Sequence, residues 1–437
     1  HEHYPKEGIY RGSKEVYENR TNIANDLDKC YTTDLFTAAA KKWIVDFKKS
    51  EDADKPFFMY LAYDTPHAVL ELPTQAYPAG GGLNGGLQWL GEPGKMINTA
   101  SGEVDSWMHP DYANATYDDD GNPATAQLAW PEVYKRYATD TRRIDDAVGD
   151  ILQLLKDLKI DENTMVVFTS DNGPSKESYL ANEPIDPTFF KSYGPFDGIK
   201  RDCLEGGVRM PTLALWPGNI PAGNHIETPS ISYDWMPTFA QMAGLPAPAI
   251  SDGVSLLPSL LGKGTQAESN IYIEYFQPGK TPDYADFIPE HQGRARNQMQ
   301  MVRIENYVGL RYDIKSHNDP FEIYDVLKDP QQTQNLAKDP KLASLQQKMK
   351  DKVLGSRIPN STALRPYDDV PVPSIPEGEM KSGIQWKAFK GDFPWVPEVA
   401  TLYQFETGKV DQLNGVINVG NGSGAMFFEG YIRVPSD

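Results

Sequence analysis

Met165-Val166-Val167-Phe168-Thr169-Ser170-Asp171-Asn172-Gly173 is the stretch on which the reading of this chain turns. A short β-branched and aromatic run stops abruptly at Ser-Asp-Asn-Gly, so it reads as a buried strand with polar residues at its carboxyl end. In open α/β sheets that edge is where ligands bind. Asp171 and Asn172 offer hard oxygen donors, which suit Ca²⁺ or Mg²⁺ better than a softer metal. Taken alone, the string is equally an ordinary polar turn after a strand.

Two further segments change its weight. Downstream, Gly198-Ile199-Lys200-Arg201-Asp202-Cys203-Leu204-Glu205-Gly206-Gly207-Val208-Arg209-Met210-Pro211 leads into the strand-like Thr212 to Trp216. Upstream, Pro56-Phe57-Phe58-Met59-Tyr60-Leu61-Ala62-Tyr63-Asp64-Thr65-Pro66-His67 reads as a second buried strand, from Phe57 to Ala62, with a polar end. Together the three resemble the formylglycine-dependent sulfatases of the alkaline-phosphatase-like superfamily. Those enzymes carry a strand ending in Ser-Asp-Asn-Gly, a Lys ahead of Glu-Gly-Gly-x-Arg-x-Pro, and a strand ending in Pro-His.

Composition bounds the partners. The 437 residues include 42 Lys+Arg against 61 Asp+Glu, a net charge of −19. Nucleic-acid backbones call for a basic face, so that class of partner is excluded. An anionic substrate is not, because a metal and a few cations can dominate one pocket. No run of eighteen apolar residues offers a membrane span. Cys30 and Cys203 are too few for a disulfide framework, and the first residues do not read as a leader. Abundant Gly, Pro and Tyr suit an extracytoplasmic enzyme, periplasmic, secreted or at the cell surface.

Spacing predicts a helix over 31–49 and an amphipathic helix over 133–158, the latter leading into the strand that ends at Asp171. Another helix is expected over 234–243. This alternation over residues 30 to 260 favours a largely parallel three-layer α/β/α sheet. Residues 74–130 lose periodicity; Gly80–Gly86, Trp89, Trp107 and Trp130 mark a loop-rich insertion. Its aromatics could stack on sugars or fold back into a satellite core. Beyond 266 come short strands at 271–276, 299–304, 307–312 and 321–326, then a helix to about Val353. The expected division is therefore 1–265 as α/β core, 266–356 as a small α+β subdomain, 357–385 as a Pro/Ser-rich linker, and 386–437 as the start of a PA14-like β-sandwich module.

The resemblance assigns roles residue by residue. Asp171 and Asn172 match two ligands of a divalent metal, normally Ca²⁺. Lys200 matches the lysine that contacts the sulfate, and His67 the histidine that contacts the ester and can act as general acid. Glu205 and Arg209 are expected to pair and shape the loop. Asp118-Asp119-Asp120-Gly121-Asn122 has the wrong spacing for a calcium loop and reads as a solvated turn. In the family the nucleophile is a formylglycine made from Cys or Ser within Cys/Ser-x-Pro/Ala-x-Arg, upstream of the Pro-His strand. That motif is expected to be missing from this chain, Cys30 being followed by Tyr-Thr-Thr and Cys203 by Leu-Glu-Gly, and nothing ahead of His67 supplies an Asp-Asp metal pair or a Lys-x-His pair.

The resemblance thus implies a bacterial carbohydrate sulfatase acting on a sulfated glycan, of which this chain holds only part of the active site. It implies maturation by a formylglycine-generating enzyme, and a further or complementary N-terminal segment carrying the nucleophile. The alternatives are a phosphodiesterase or phosphonate hydrolase of the same superfamily, or a noncatalytic glycan-binding protein on the same fold.

Overall fold

The computed structural model describes residues 3–6, 15–67, 69–177, 183–374, 382–413 and 422–432. The chain divides into two compact units, His1–Gly194 with Pro211–Gly218, and Pro195–Met210 with Asn219–Asp437. The boundary expected at residue 265 does not separate them.

The first unit is organised by two helices, α1 (Thr32–Lys49) and α2 (Glu132–Asp157). Both carry an apolar stripe, as their spacing predicts, but the stripe of α2 is interrupted by buried Asp140, Arg143 and Asp150. Each of the three meets a partner at α1: Tyr31, which caps the helix, donates to Asp140 at 3.0 Å, Arg143 forks onto Asp34, and Lys41 reaches Asp150 at 2.6 Å. Buried polar groups need hydrogen-bonded partners and buried charges paired ones, so these contacts fix which faces of the helices meet.

The glycine-rich stretch wraps one of these pairs. Asp150 also accepts from Tyr77 Oη and from the backbone N–H groups of Gly82 and Leu87. A Cβ on Gly86 would lie 2.1 Å from Asp150 Oδ2, so only glycine lets the backbone come this close. The remainder of the insertion forms two short hairpins and folds its aromatics back. Tyr134 stacks on Phe189 at 3.9 Å, and Trp130 packs edge-on to Phe189 and Phe190. The satellite-core reading is the one the structure adopts.

Strand β1 (Val166–Thr169) pairs with β2 (Thr212–Leu215), and the pairing is antiparallel, from Val166↔Leu215 to Thr169↔Thr212. This corrects the expectation of a parallel sheet here. The expected strand at Phe57–Ala62 is corrected as well: the segment enters no sheet among the described residues. Its inward side chains behave as a strand's would, Met59 packing in the cluster of Ile44, Leu154 and Val166, and Phe57 against Trp43 and Phe47. What it lacks is a neighbour for its backbone ladder, without which periodicity alone makes no strand. Tyr60 and Leu213 stand 84% and 67% exposed, so a second helical layer does not cover this face within the described residues.

The second unit is built on a four-stranded antiparallel sheet of β3 (Tyr272–Lys280), β4 (Ala295–Ile304), β5 (Tyr307–Arg311) and β6 (Glu322–Asp325), in the order β6-β5-β4-β3. Met299, Met301, Val308 and Leu310 gather on one core with Cys203 and Leu204. Val302, Phe321 and Ile323 pack against Leu345, Met349 and Val353 of helix α4 (Ala343–Ser356). The predicted helix at 234–243 is α3 (Trp235–Met242).

The stretch read as a linker is held in place where it is described. Tyr367 is fully buried, donating to Glu274 and accepting from Gln298, both at 2.9 Å. Residues 375–381 lie outside the described residues. Strands β7 (Ile384–Lys390), β8 (Gln404–Val410) and β9 (Gly424–Glu429) form a three-stranded antiparallel sheet in the order β8-β7-β9. The expected sandwich module is this one sheet among the described residues, and 433–437 fall outside them.

Candidate active site

Asp171 and Asn172 follow β1 after the single residue Ser170. Thr169 and Thr212 bond across the strands at 3.0 Å and fix the strand end. Asp171 is exposed, and its Oδ1 accepts from Asn172 Nδ2 at 2.7 Å. The donor set fits a hard cation in kind. It falls short in number, since Ca²⁺ takes about six to eight oxygens and Asp171 belongs to no cluster of three acidic, His or Cys side chains among the described residues.

His67 closes the extended segment in the same unit. Its N–H donates to Asp64 O at 3.0 Å, and the Thr65–Pro66 peptide is cis. The turn is fastened to the first residues of α1. Thr32 Oγ1 donates to the Asp64 carboxylate at 2.7 Å, Thr33 bonds Thr65 hydroxyl to hydroxyl, and Thr37 meets Tyr63 at 2.9 Å. Three threonines of α1 therefore aim the loop that carries the histidine.

Lys200 belongs to the second unit. Every acidic group of its loop is engaged. Asp197 accepts from Ile288 N, His291 Nδ1 and Gln331 Nε2; Asp202 takes a fork from Arg296; Glu205 pairs with Arg209 at 2.8 Å. The last pair is the one expected from sequence. Burial nonetheless outweighs Arg209 and holds the Glu205 carboxyl above its ordinary range. Gly206 and Gly207 are demanded by close approach: added Cβ atoms would lie 2.3 Å from Gly198 O and 2.5 Å from Asp202 O. The Lys200 ammonium itself, half-buried, has no hydrogen bond or ion pair among the described residues. Burial pushes both thiols, Cys203 in this loop and Cys30 ahead of α1, up to about 12, so neither is poised as a nucleophile.

One sequence match escaped the motif reading. Ser361-Thr362-Ala363-Leu364-Arg365 fits Cys/Ser-x-Pro/Ala-x-Arg by residue type, but it follows His67 rather than preceding it. Its arginine is spent on structure, pairing with Glu274 and Asp368. The acidic run at 118–120 is a turn closed on itself: Asp118 accepts from Gly121 N, and Asp120 from Asn122 N and Thr125. The fastening partners Thr32, Asp197, Asp202, His291 and Arg296 were not among the sequence candidates. Asp197 and Asp202 are visible in the sequence as carboxylates beside Lys200, but nothing there points to Thr32, His291 or Arg296.

The chain thus combines mixed α/β content and small antiparallel sheets with polar residues just past the end of β1. Residues 3–245, more than half of the chain, match the sulfatase family model. The chain belongs to the sulfatase family. Residues 192–358 match the model of the N-sulphoglucosamine sulphohydrolase C-terminal region. N-acetylgalactosamine-6-sulfatase from Canis lupus familiaris is 44% identical over 129 residues, 29% of this chain and 23% of that protein. Human arylsulfatase A is 33% identical over 207 residues, 44% of this chain and 37% of that protein. The chain thus spans well under half the length of these relatives. The crystal structure of Ps i-CgsB aligns with a TM-score of 0.51 at 21% identity, covering 78% of this chain and 58% of that one. No helix among the described residues is long and apolar enough to cross a membrane.

Proposed function

We propose that this chain forms part of a sulfatase that hydrolyses sulfate monoesters on a carbohydrate. The observation that carries the reading is the Lys200 loop: its acidic side chains are all paired, while the lysine is left uncommitted for an anion. Sugar is favoured because N-acetylgalactosamine-6-sulfatases from several mammals are among the relatives, as is the N-sulphoglucosamine sulphohydrolase model.

In this reading Lys200 donates to a nonbridging sulfate oxygen, where a positioned cation stabilises charge that grows in the transition state. His67 holds the proton that the departing sugar alcohol requires. Asp171 and Asn172 contribute two oxygens to a divalent cation, Ca²⁺ by family precedent, which would neutralise the sulfate oxygens when bound. The nucleophile, a formylglycine installed by its generating enzyme, and the remaining metal ligands come from polypeptide beyond these residues. The exposed apolar side chains Tyr60, Leu213 and Leu215 support a surface prepared for more chain. Residues 1–437 alone are then inactive, and the full protein acts outside the cytoplasm on a sulfated glycan.

The test is turnover of a panel of sulfated monosaccharides and an aryl sulfate by the full-length, formylglycine-matured protein, with and without chelator. Chelator-sensitive sulfate release from a sugar supports the reading. Robust release by residues 1–437 alone overturns the division of the site, and release of phosphate from phosphodiesters in place of sulfate overturns the substrate class.

A further inference from the structure

We propose that Asp202 and Arg296 are positioning residues for Lys200, locking its turn in the one backbone path that presents the ammonium outward; this rests on reading Lys200 as an anion contact. Ile199-Lys200-Arg201-Asp202 is a four-residue turn closed by Asp202 N donating to Ile199 O at 2.9 Å. Arg201, its third residue, has φ +80°. That is the backbone requirement of a type II turn, which glycine normally fills and an arginine resists. Left to itself, the turn would relax at Arg201 and swing the neighbouring Lys200 with it.

The Asp202 carboxylate opposes that relaxation. One oxygen accepts from Ile199 N at 3.1 Å, tying the last residue of the turn back to the first. Arg296 Nε donates to Oδ1 at 2.7 Å and Nη2 to Oδ2 at 2.9 Å, and Thr281 Oγ1 adds a bond of 2.6 Å. Both charged side chains are buried, where a bidentate pair gives geometric specificity that a lysine cannot reproduce. Cys203 N and Leu204 N donate to the Tyr312 hydroxyl at 2.9 and 3.1 Å and anchor the chain just beyond. Arg296 on β4 and Thr281 beside β3 thus set the pose of a lysine 96 and 81 residues earlier in the sequence.

The experiment compares wild type, Arg296→Lys and the near-isosteric Asp202→Asn, so that one misfolded variant leaves the other. Backbone hydrogen exchange of residues 1–437 reads the clamp directly: Ile199 and Asp202 amides should exchange at least tenfold faster in either variant, with β4 and β5 protection unchanged. In the matured full-length protein, turnover of an aryl sulfate should fall at least tenfold in kcat with KM nearly constant. In a Lys200→Ala background, Arg296→Lys should cost nothing further, because its effect passes through the lysine. Unchanged Ile199 exchange, or losses that multiply in the double variant, overturn the proposal. A wild-type protein that turns over no sulfate ester sinks the sulfatase reading instead, while the exchange comparison still decides the clamp.

Discussion

Arg143 of α2 grips Asp34 of α1 with two parallel bonds, Nε to Oδ1 at 2.7 Å and Nη2 to Oδ2 at 2.6 Å, and both side chains are at most 1% exposed. Asp34 accepts a third bond from Thr99 at 2.7 Å, and the guanidinium lies 4.7 Å from the Tyr77 ring centroid. Removing one partner strands the other's charge in the interior. Asp34→Ala should therefore lower the unfolding free energy by about 3–5 kcal/mol, and Arg143→Lys by less. Urea denaturation of both variants measures the difference; a loss below about 1 kcal/mol for Asp34→Ala would show the pair to be dispensable.

Asp140 gives the stability a pH dependence of unusual sign. Burial, ahead of the neighbouring carboxylates Asp105 and Asp64, raises its carboxyl well above the ordinary 3.8, against the lowering effects of the Tyr31 bond and Arg136. A folded value above the unfolded one means that the contribution is complete below the ordinary value and is lost as pH rises through the raised one. Asp140→Asn copies the neutral form and keeps the acceptor for Tyr31. It should match wild type near pH 4 and then gain relative stability by about 1.4 kcal/mol per pH unit until the raised value is passed. Parallel unfolding curves at every pH would refute this.

The Glu-Gly-Gly turn tolerates no side chain. In Gly207→Ala the new Cβ meets Asp202 O and Ile199 O, both at 2.5 Å, and both are backbone atoms that cannot swing aside. Overpacking of this kind costs about 1–3 kcal/mol. The thermal midpoint should fall, with the amides around Lys200 losing protection first.

Kinetics separate the two candidate side chains. With the matured full-length protein, Lys200→Ala should lower kcat by about 10²–10³ on any sulfate ester. His67→Ala should cost about 10²–10⁴ on a sugar sulfate, and far less on 4-nitrophenyl sulfate, whose leaving group departs without a proton. Equal losses on both substrates would remove His67 from the general-acid role.

The helices were legible in the sequence because their periodicity is local: 31–49 and 133–158 fall within a residue of α1 and α2. The strands at 307–312 and 321–326 were legible for the same reason. Pairing direction was not, since Val166–Thr169 is apolar on both faces and takes a parallel or an antiparallel neighbour equally well. Of the candidate site, His67, Asp171, Asn172 and Lys200 stood out as motifs. The buried groups that aim them did not: Asp202 meets Arg296 ninety-four positions on, and nothing in either neighbourhood names the other.

The interleaving of the two units has a practical corollary. Because Pro211–Gly218 returns to the first unit after Pro195–Met210 has joined the second, neither half is one continuous length of chain. A truncation after residue 194 deprives β1 of β2, and one after 218 cuts the Lys200 turn off from Arg296, Thr281 and Tyr312. No single cleavage point therefore leaves both units with all their segments.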